Sequence, residues 1–110
     1  MDLNPGDIVL IEVGFQQMQG AKIRPAIVVL DSGGNDFVTA PVTSRARSAE
    51  FDLTITDRQF AGLNVPSTAR IHKVSVLPKA SIRRLIGTLA TSDLAAVRAK
   101  LCRAFCQRSE

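Results

Sequence analysis

The sequence predicts a small, mainly β barrel that ends in one long α-helix. Short runs of β-branched and apolar residues, separated by turn residues, occupy most of the chain, and a helical stripe of apolar residues begins only after residue 92. The chain of 110 residues contains no repeat, linker or low-complexity segment, so residues 1–110 are expected to form a single domain with one modest core. About five to seven short strands followed by a helix are typical of a small barrel.

The first half of the chain carries the clearest strand signals. A β-rich run at 7–13 follows a Pro-Gly turn, and the continuous apolar run at 25–30 is typical of a buried central strand. The turn-forming residues at 31–36 predict a hairpin that leads into a third strand, from 37 to about 42. A fourth strand is expected at 51–55, where apolar and polar residues alternate.

The middle of the chain is predicted to hold a short helix and two extended segments. Thr56 and Gln59 fit a capping box, and the short helix that this box opens is expected to stop at Gly62. The extended segments are expected at about 68–77 and 85–90, joined by a turn at 78–81.

The terminal helix is predicted to begin with Ser92 as its N-cap and with Asp93 at the positive end of the helix dipole. Its apolar stripe, which should pack on the barrel, consists of Leu94, Val97, Leu101 and Phe105. Cys102 and Cys106 lie four residues apart with parallel Cβ directions, which is poor geometry for a disulfide. We interpret them as small apolar residues of the core or an interface, rather than as a redox or metal-binding pair.

Charge is distributed unevenly along the chain, whose formal net charge is +4. Residues 1–69 carry five Lys/Arg against eight Asp/Glu, whereas residues 70–110 carry nine against two. This basic second half indicates an anionic partner (RNA, DNA or an acidic protein tail) or else a solvated face with no partner. Tyr and Trp are absent and only five Phe are available, which argues against an aromatic platform for stacking RNA bases.

Two connections have the composition of functional loops. The connection at 14–23 is long and polar, with a glycine near each end, and such loops on a rigid scaffold often carry function. The segment at 43–48 is rich in hydroxyls and guanidinium groups, which suit phosphate. The chain opens without a signal-type segment and has no apolar run of membrane-spanning length, so we expect a cytoplasmic protein that does not enter a membrane.

Several segments, in this order and at this spacing, resemble the MazF/PemK-like toxin family. They are 6–9 (Gly-Asp-Ile-Val), 19–29 (a glycine-containing loop that ends in Arg-Pro and an apolar strand), 40–44 (Ala-Pro-Val-Thr-Ser), 69–73 (Ala-Arg-Ile-His-Lys) and 85–89 (Leu-Ile-Gly-Thr-Leu). The resemblance covers nearly the whole chain. It implies an SH3-like barrel, a homodimer, and an endoribonuclease that cleaves single-stranded RNA without a metal or other cofactor. It also implies a cognate antitoxin protein whose tail occupies the RNA groove.

The resemblance implies catalytic roles for Arg24 and Thr43, which match the family's essential arginine and threonine. Attack of a ribose 2′-OH on the adjacent phosphate builds negative charge on the non-bridging oxygens, which a guanidinium fork and a hydroxyl donor can stabilise. The products would be a 2′,3′-cyclic phosphate and a 5′-hydroxyl. Where the PemK branch has Arg-x-Asp, this chain has a histidine, His72, and we include it as a candidate acid or base because imidazole titrates near neutrality.

The candidate RNA-binding residues are polar or cationic side chains in these segments and in the loop at 43–48: Gln19, Lys22, Ser44, Arg45, Arg47, Arg70 and Lys73. Gln19 stands where many members have a glutamate, so it cannot accept a proton with comparable strength. The residues alone leave other interpretations open: a surface ion pair for Arg24, a turn cap for Thr43 and a structural role for His72. The alternative functions are a catalytically inactive SH3-like module that binds an acidic protein or nucleic acid, and a DNA-directed role. The cleavage sequence is expected to depend on loops 14–23 and 44–50.

Overall fold

The computed structural model describes residues 2–14 and 21–106. Within these residues the chain forms seven β-strands, two short 3-10 turns and one α-helix. The strands are β1 (Asp7–Gly14), β2 (Ala21–Asp31), β3 (Asp36–Thr43), β4 (Asp52–Thr54), β5 (Thr68–Arg70), β6 (Ser75–Pro78) and β7 (Ile82–Thr88); the 3-10 turns are Ile71–Lys73 and Lys79–Ser81, and the helix is α1 (Thr91–Phe105). Most of the predicted loop at 14–23, including Gln19, lies outside the described residues.

All strand pairs in the described part of the chain are antiparallel, in the order β4-β5-β3-β2-β1-β7, with β6 also paired to β3. The prediction of a mainly β fold with a terminal helix is confirmed, and so is the hairpin between the second and third strands, where Asp31 pairs with Phe37. In the described residues the end strands β4 and β7 do not pair, so hydrogen bonds do not close the sheet into a barrel. The turn after β4 lies against β7 instead, where Gly62 and Gly87 bring the two backbones together.

The core consists of two apolar clusters on opposite faces of the central strands. Ile8 pairs with Ile27 in one cluster, and the next pair, Val9 with Ala26, belongs to the other. Because neighbouring strand residues point to opposite faces, both faces of β1 and β2 are buried. This double burial explains the middle of the apolar run at 25–30, where residues 26–28 are fully buried, whereas Leu30 at its end is 51% exposed.

Helix α1 covers the first of these clusters. Val97 is buried there, and Leu94 and Leu101 pack against the same cluster, as the apolar stripe predicted. The prediction for Phe105 is wrong, because its side chain is 57% exposed at the last turn of the helix. Cys102 and Cys106 are also exposed, so they do not contribute to the core. No helix in the described part of the chain is long and apolar enough to cross a membrane.

The two helix caps that the sequence predicted, at Ser92 and Thr56, are absent from the structure, and Thr56 makes a tertiary hydrogen bond instead. The helix begins at Thr91 after Ala90 and has no side-chain cap, so the N-cap role expected for Ser92 is wrong. Residues 58–62 form turns rather than a helix. The hydroxyl of Thr56, the expected cap of that helix, donates instead to the Asp93 carboxylate at 2.7 Å.

Asp93 lies in the first turn of α1, only 3% exposed, and its carboxylate binds the turn after β4. Its oxygens accept the backbone N–H groups of Thr56 and Asp57 at 3.0 and 2.8 Å, besides the Thr56 hydroxyl. Burial raises the pKa of this carboxyl, but the hydrogen bonds from Asp57 and Thr56 outweigh that effect and lower it below its ordinary value. Asp93 therefore joins the helix to the segment that flanks β7.

The extended segment predicted at 68–77 is interrupted, because β5 and β6 pair with the same edge of β3. Ala69 pairs with Val42 and Ser75 pairs with Thr39. From Ala69 to Ser75 the chain therefore advances six residues along a length of β3 over which β3 itself advances three. The 3-10 turn Ile71–Lys73 takes up the extra three residues, and it is anchored by the fully buried Ile71. The turn predicted at 78–81 is the second 3-10 turn, and β7 starts three residues before the predicted position.

Candidate functional site

A cleft of about 890 Å³ lies beside the central strands and is the candidate functional site. Its apolar part consists of strand residues (Leu10, Ile11, Val13, Pro25, Pro41, Val42 and Ile86) and of Leu63 and Val65 from the segment before β5. Six cationic side chains also line it: Arg24, Arg45, Arg47, Arg70, Lys73 and Arg84. No carboxylate is among the described residues that line the cleft, so its electrostatic field favours an anionic ligand.

The pairing of β2 with β3 brings Arg24 and Thr43 together. Ala26 pairs with Pro41, and two residues farther along each strand are Arg24 and Thr43. A step of two residues keeps both side chains on the same face of the sheet, and both line the cleft. The two residues that the family resemblance identified, 19 positions apart in sequence, therefore line the same cleft from the ends of two neighbouring strands.

The Arg24 side chain is exposed, and its guanidinium is available to a ligand. Its Nη1 lies 3.5 Å from the carbonyl oxygen of Ile23, which is a long contact. No ion pair in the described part of the chain involves Arg24, so the structure does not give it the surface ion pair that was the alternative interpretation.

Thr43 is half-buried at the end of β3, and its Oγ1 accepts the backbone N–H of Arg45 at 3.1 Å. The structure therefore shows the turn-capping role that the sequence left open for this threonine. The hydrogen bond orients the hydroxyl without using its proton, so Oγ1 can still donate a hydrogen bond to a ligand oxygen.

The Arg70 side chain is bound by the buried carboxylate of Asp52. Arg70 pairs with Asp52 across β5 and β4, and its Nε donates to Asp52 Oδ1 at 3.0 Å. The other oxygen of Asp52 accepts the N–H of Ala49 at 3.0 Å. Burial raises the pKa of the Asp52 carboxyl, but the hydrogen bonds from Arg70 and Ala49, with the charges of Arg70 and His72, outweigh it and lower that pKa.

The structure brings together seven of the ten candidate residues. Those that line the cleft are Arg24, Thr43, Ser44, Arg45, Arg47, Arg70 and Lys73. Lys22 is exposed on β2 and does not line the cleft, and Gln19 lies outside the described residues. His72 is exposed on the first 3-10 turn, where it acts electrostatically on Asp52 but is not a lining residue.

Sequence reasoning missed three polar residues that line the cleft. Arg84 reaches it because β7 pairs with β1, which places Arg84 opposite Leu10, and Leu10 in turn pairs with Pro25. The only sequence signal for Arg84 was the basic character of the second half, which does not single it out. Asn64 and Ser67, in the segment before β5, had no signal beyond their polarity.

No group of three or more His, Cys, Asp or Glu residues that could hold a metal ion occurs within residues 2–14 and 21–106.

A cationic cleft that is lined by both Arg24 and Thr43, on a small antiparallel sheet, has the chemistry that suits a phosphate-rich or otherwise anionic ligand. The family model described as PemK-like, MazF-like toxin of type II toxin-antitoxin system matches residues 4–105. This chain belongs to that family, and the resemblance seen in the sequence is confirmed.

Solved structures show the same fold. The Mycobacterium tuberculosis toxin MazF-mt6 is 21% identical, with a TM-score of 0.75 over 96% of this chain and 100% of that chain. The MazE-MazF structure (Form-III) from Deinococcus radiodurans is 24% identical, with a TM-score of 0.78 over 96% and 97%. A mycobacterial endoribonuclease in complex with its cognate antitoxin is 13% identical, with a TM-score of 0.77 over 100% of both chains. A search of curated proteins found no match.

Proposed function

We propose that this chain is the toxin of a toxin–antitoxin pair, a metal-independent and sequence-selective endoribonuclease that cleaves single-stranded RNA. The observation that carries the proposal is the placement of Arg24 beside Thr43, in a cleft lined by six cations and by no described carboxylate. The family adds support, since one solved relative is an endoribonuclease bound to its antitoxin.

In the proposed reaction, the ribose 2′-oxygen attacks the adjacent phosphorus while the bond from phosphorus to the 5′-oxygen breaks. The products are a 2′,3′-cyclic phosphate and a 5′-hydroxyl, with one proton taken from the 2′-hydroxyl and one delivered to the leaving oxygen. Arg24 donates two parallel hydrogen bonds to the non-bridging oxygens, and the Thr43 hydroxyl donates a third. These charge-assisted bonds strengthen as the phosphorane forms, which is the usual source of electrostatic catalysis.

His72 is the proposed proton-transfer residue, because it is the only histidine of the chain and imidazole exchanges protons near neutral pH. Its support is its place on the 3-10 turn directly before Lys73, which does line the cleft. Binding of RNA against Lys73 would bring the substrate to the edge of that turn. A pH–rate profile tests this role separately from the roles of Arg24 and Thr43.

The remaining cations are proposed to bind the RNA backbone on both sides of the scissile phosphate. Ser44, Arg45 and Arg47 extend from the end of β3, while Arg70 and Lys73 lie on and after β5. Gln19, in the sequence between β1 and β2, and Lys22, at the start of β2, are also proposed to contact the RNA. Contacts of this kind give an affinity that falls as salt concentration rises.

The proposed partners are single-stranded RNA, a cognate antitoxin and a second copy of the chain. A cleft with six cations suits an acidic antitoxin tail for the same electrostatic reason that it suits RNA. Antitoxin complexes occur among the solved relatives, including the mycobacterial and Deinococcus radiodurans structures, and they support this partner. The proposed place of action is the cytoplasm, where messenger RNA is translated.

The test is cleavage of a purified single-stranded RNA by the wild-type protein in excess chelator. We expect cleavage to persist in chelator and to stop when a 2′-deoxy nucleotide replaces the ribose before the scissile phosphate. Cutting of the 2′-deoxy substrate, or a requirement for a divalent metal, would overturn the mechanism. Binding of RNA with no cleavage under any condition would instead favour the alternative, a non-catalytic module.

A further inference from the structure

We propose that Asp52 is a positioning residue that sets the direction of the Arg70 guanidinium in the cleft. Asp52 binds Arg70 through Nε, and the structure gives neither Nη group a hydrogen-bond partner among the described residues. Arg70 therefore has both Nη groups available for a phosphate, while its Nε is bound to Asp52. The inference rests on the proposed function, because it takes the anion in the cleft to be RNA.

The burial of Asp52 distinguishes this ion pair from the three others in the described part of the chain. The Asp52 side chain is 1% exposed, compared with 19% for Asp31, 40% for Glu12 and 61% for Glu50 in their pairs. Exposed pairs contribute little to stability, and a buried carboxylate is costly to desolvate unless its oxygens are satisfied. An ion pair in which only the carboxylate is buried, beside a cleft, is thus weak evidence for stability, and we assign it the role of fixing the direction of Arg70.

Asp52 also holds the far end of the segment that carries two other cleft cations. Its Oδ2 accepts the N–H of Ala49 at 3.0 Å, and its own N–H donates to the Ala49 carbonyl at 3.1 Å. These two bonds close the turn that ends the segment containing Arg45 and Arg47. The near end of that segment is fixed by the Thr43 hydroxyl, which accepts the Arg45 N–H. One buried carboxylate therefore binds both Arg70 and the end of the segment that carries Arg45 and Arg47.

A double-mutant cycle with Arg70 distinguishes a positioning role from a merely structural one, in which Asp52 only joins β4 to β5. If Asp52 acts mainly through Arg70, its removal should matter much less once Arg70 is gone, because only the bond from the Ala49 N–H to its carboxylate is then lost. We expect Asp52→Ala to lower kcat/KM roughly 10- to 100-fold in the wild-type background, the scale of a misplaced catalytic contact, and less than about threefold in Arg70→Ala. Asp52→Asn keeps an oxygen acceptor for Nε, so it should recover part of the rate.

The matched control is Asp31→Asn, because Asp31 also accepts one cationic side chain and one backbone N–H. Its Oδ1 lies 2.7 Å from Lys79 Nζ and 2.9 Å from the Gly33 nitrogen, and neither Asp31 nor Lys79 lines the cleft. This variant should leave cleavage unchanged. Thermal unfolding of every variant is measured alongside, so a lost fold is not read as a lost contact.

The cycle is measured on the full chain by cleavage of single-stranded RNA and by the Kd for its uncleavable 2′-deoxy analogue. Losses that multiply in the double variant, or an Asp52→Ala protein that stays folded with wild-type kcat/KM and Kd, would overturn the inference. If Asp52→Ala fails to fold, the kcat/KM values of Asp52→Asn and Asp31→Asn are compared instead. A lower value for Asp52→Asn supports the inference, and equal values overturn it. A wild-type protein that binds the analogue without cleaving RNA refutes the proposed enzyme but leaves the cycle on Kd intact. A protein that binds neither refutes both.

Discussion

Gly62 and Gly87 meet across the seam between the turn after β4 and strand β7. A Cβ atom built on Gly62 would overlap the carbonyl oxygen of Ile86, and one built on Gly87 would overlap that of Ala61. Gly62 also has a φ of +84°, which disfavours any other residue. Because hydrogen bonds do not pair β4 with β7 in the described residues, this backbone contact joins the two ends of the sheet beside the cleft.

Replacement of either glycine should therefore destabilise the protein. We expect Gly87→Ala to lower the free energy of unfolding by about 1–3 kcal/mol, because backbone atoms cannot move aside as a flexible side chain can. Gly34→Ala is the control, since a Cβ at Gly34 meets nothing within 4 Å, and it should change stability by less than about 0.5 kcal/mol. Denaturant unfolding measures both; equal stabilities would show that the seam is not tightly packed.

Asp93 should make the stability of the fold depend on acid pH. Its three hydrogen bonds favour the charged form, so Asp93→Asn should cost roughly 1.5–3 kcal/mol at neutral pH. The folded pKa lies below the ordinary value of 3.8, so this stability is present above about pH 4 and is lost as the pH falls through the folded pKa. The difference between wild type and variant in urea unfolding should thus shrink below pH 4. Asp36→Asn, at an exposed carboxylate, is the control.

Arg24→Ala should reduce the rate of RNA cleavage by about 10²–10³, the usual loss for one charge-stabilising donor. Arg24→Lys should recover little, because an ammonium cannot span two phosphate oxygens as a guanidinium does. Arg83→Ala removes an exposed arginine that does not line the cleft and should keep its activity. Single-turnover kinetics in chelator make the comparison, and wild-type rates in Arg24→Ala would exclude the proposed mechanism.

Thr43→Ala should be nearly as damaging as Arg24→Ala, whereas Thr43→Ser should keep part of the activity. Serine retains the hydroxyl that accepts the Arg45 N–H and donates to the substrate, although it loses the methyl group that restricts the side chain. Thr88→Ala, at an exposed strand residue outside the cleft, is the matched control. If all three variants cleave RNA equally, Thr43 serves only as a turn cap.

His72→Ala should remove one limb of the pH–rate profile, because the imidazole is the proposed proton-transfer group. The variant should remain folded, since the side chain is exposed on a 3-10 turn. The measurement is kcat and KM across the pH range for the wild type and the variant. A profile of unchanged shape with a raised KM would assign His72 to RNA binding instead.

The sequence alone determined the features that depend on neighbouring residues. Alternation, turn residues and the apolar stripe identified β1, β2, β3, the hairpin between 31 and 36, and the terminal helix to within a few residues. The strands, the hairpin and the helix were predictable because side-chain period and turn chemistry act over a few residues. Arg24 and Thr43 were indicated only by the family resemblance of the Arg-Pro and Pro-Val-Thr-Ser segments, since the residues alone left a surface ion pair and a turn cap open.

Only the tertiary structure decided the contacts between distant segments. In the structure the helix begins at Thr91, although local capping rules predicted Ser92 as its N-cap. The Asp93 carboxylate accepts the Thr56 hydroxyl, whereas the sequence predicted that Thr56 would cap a helix at 56–62. Arg84 entered the cleft through the pairing of β7 with β1, and Asp52 reached Arg70 across 18 positions of sequence. The physical reason is that burial and hydrogen-bond satisfaction are settled by whichever groups the whole fold brings together, and these outweigh a cap worth about 1 kcal/mol.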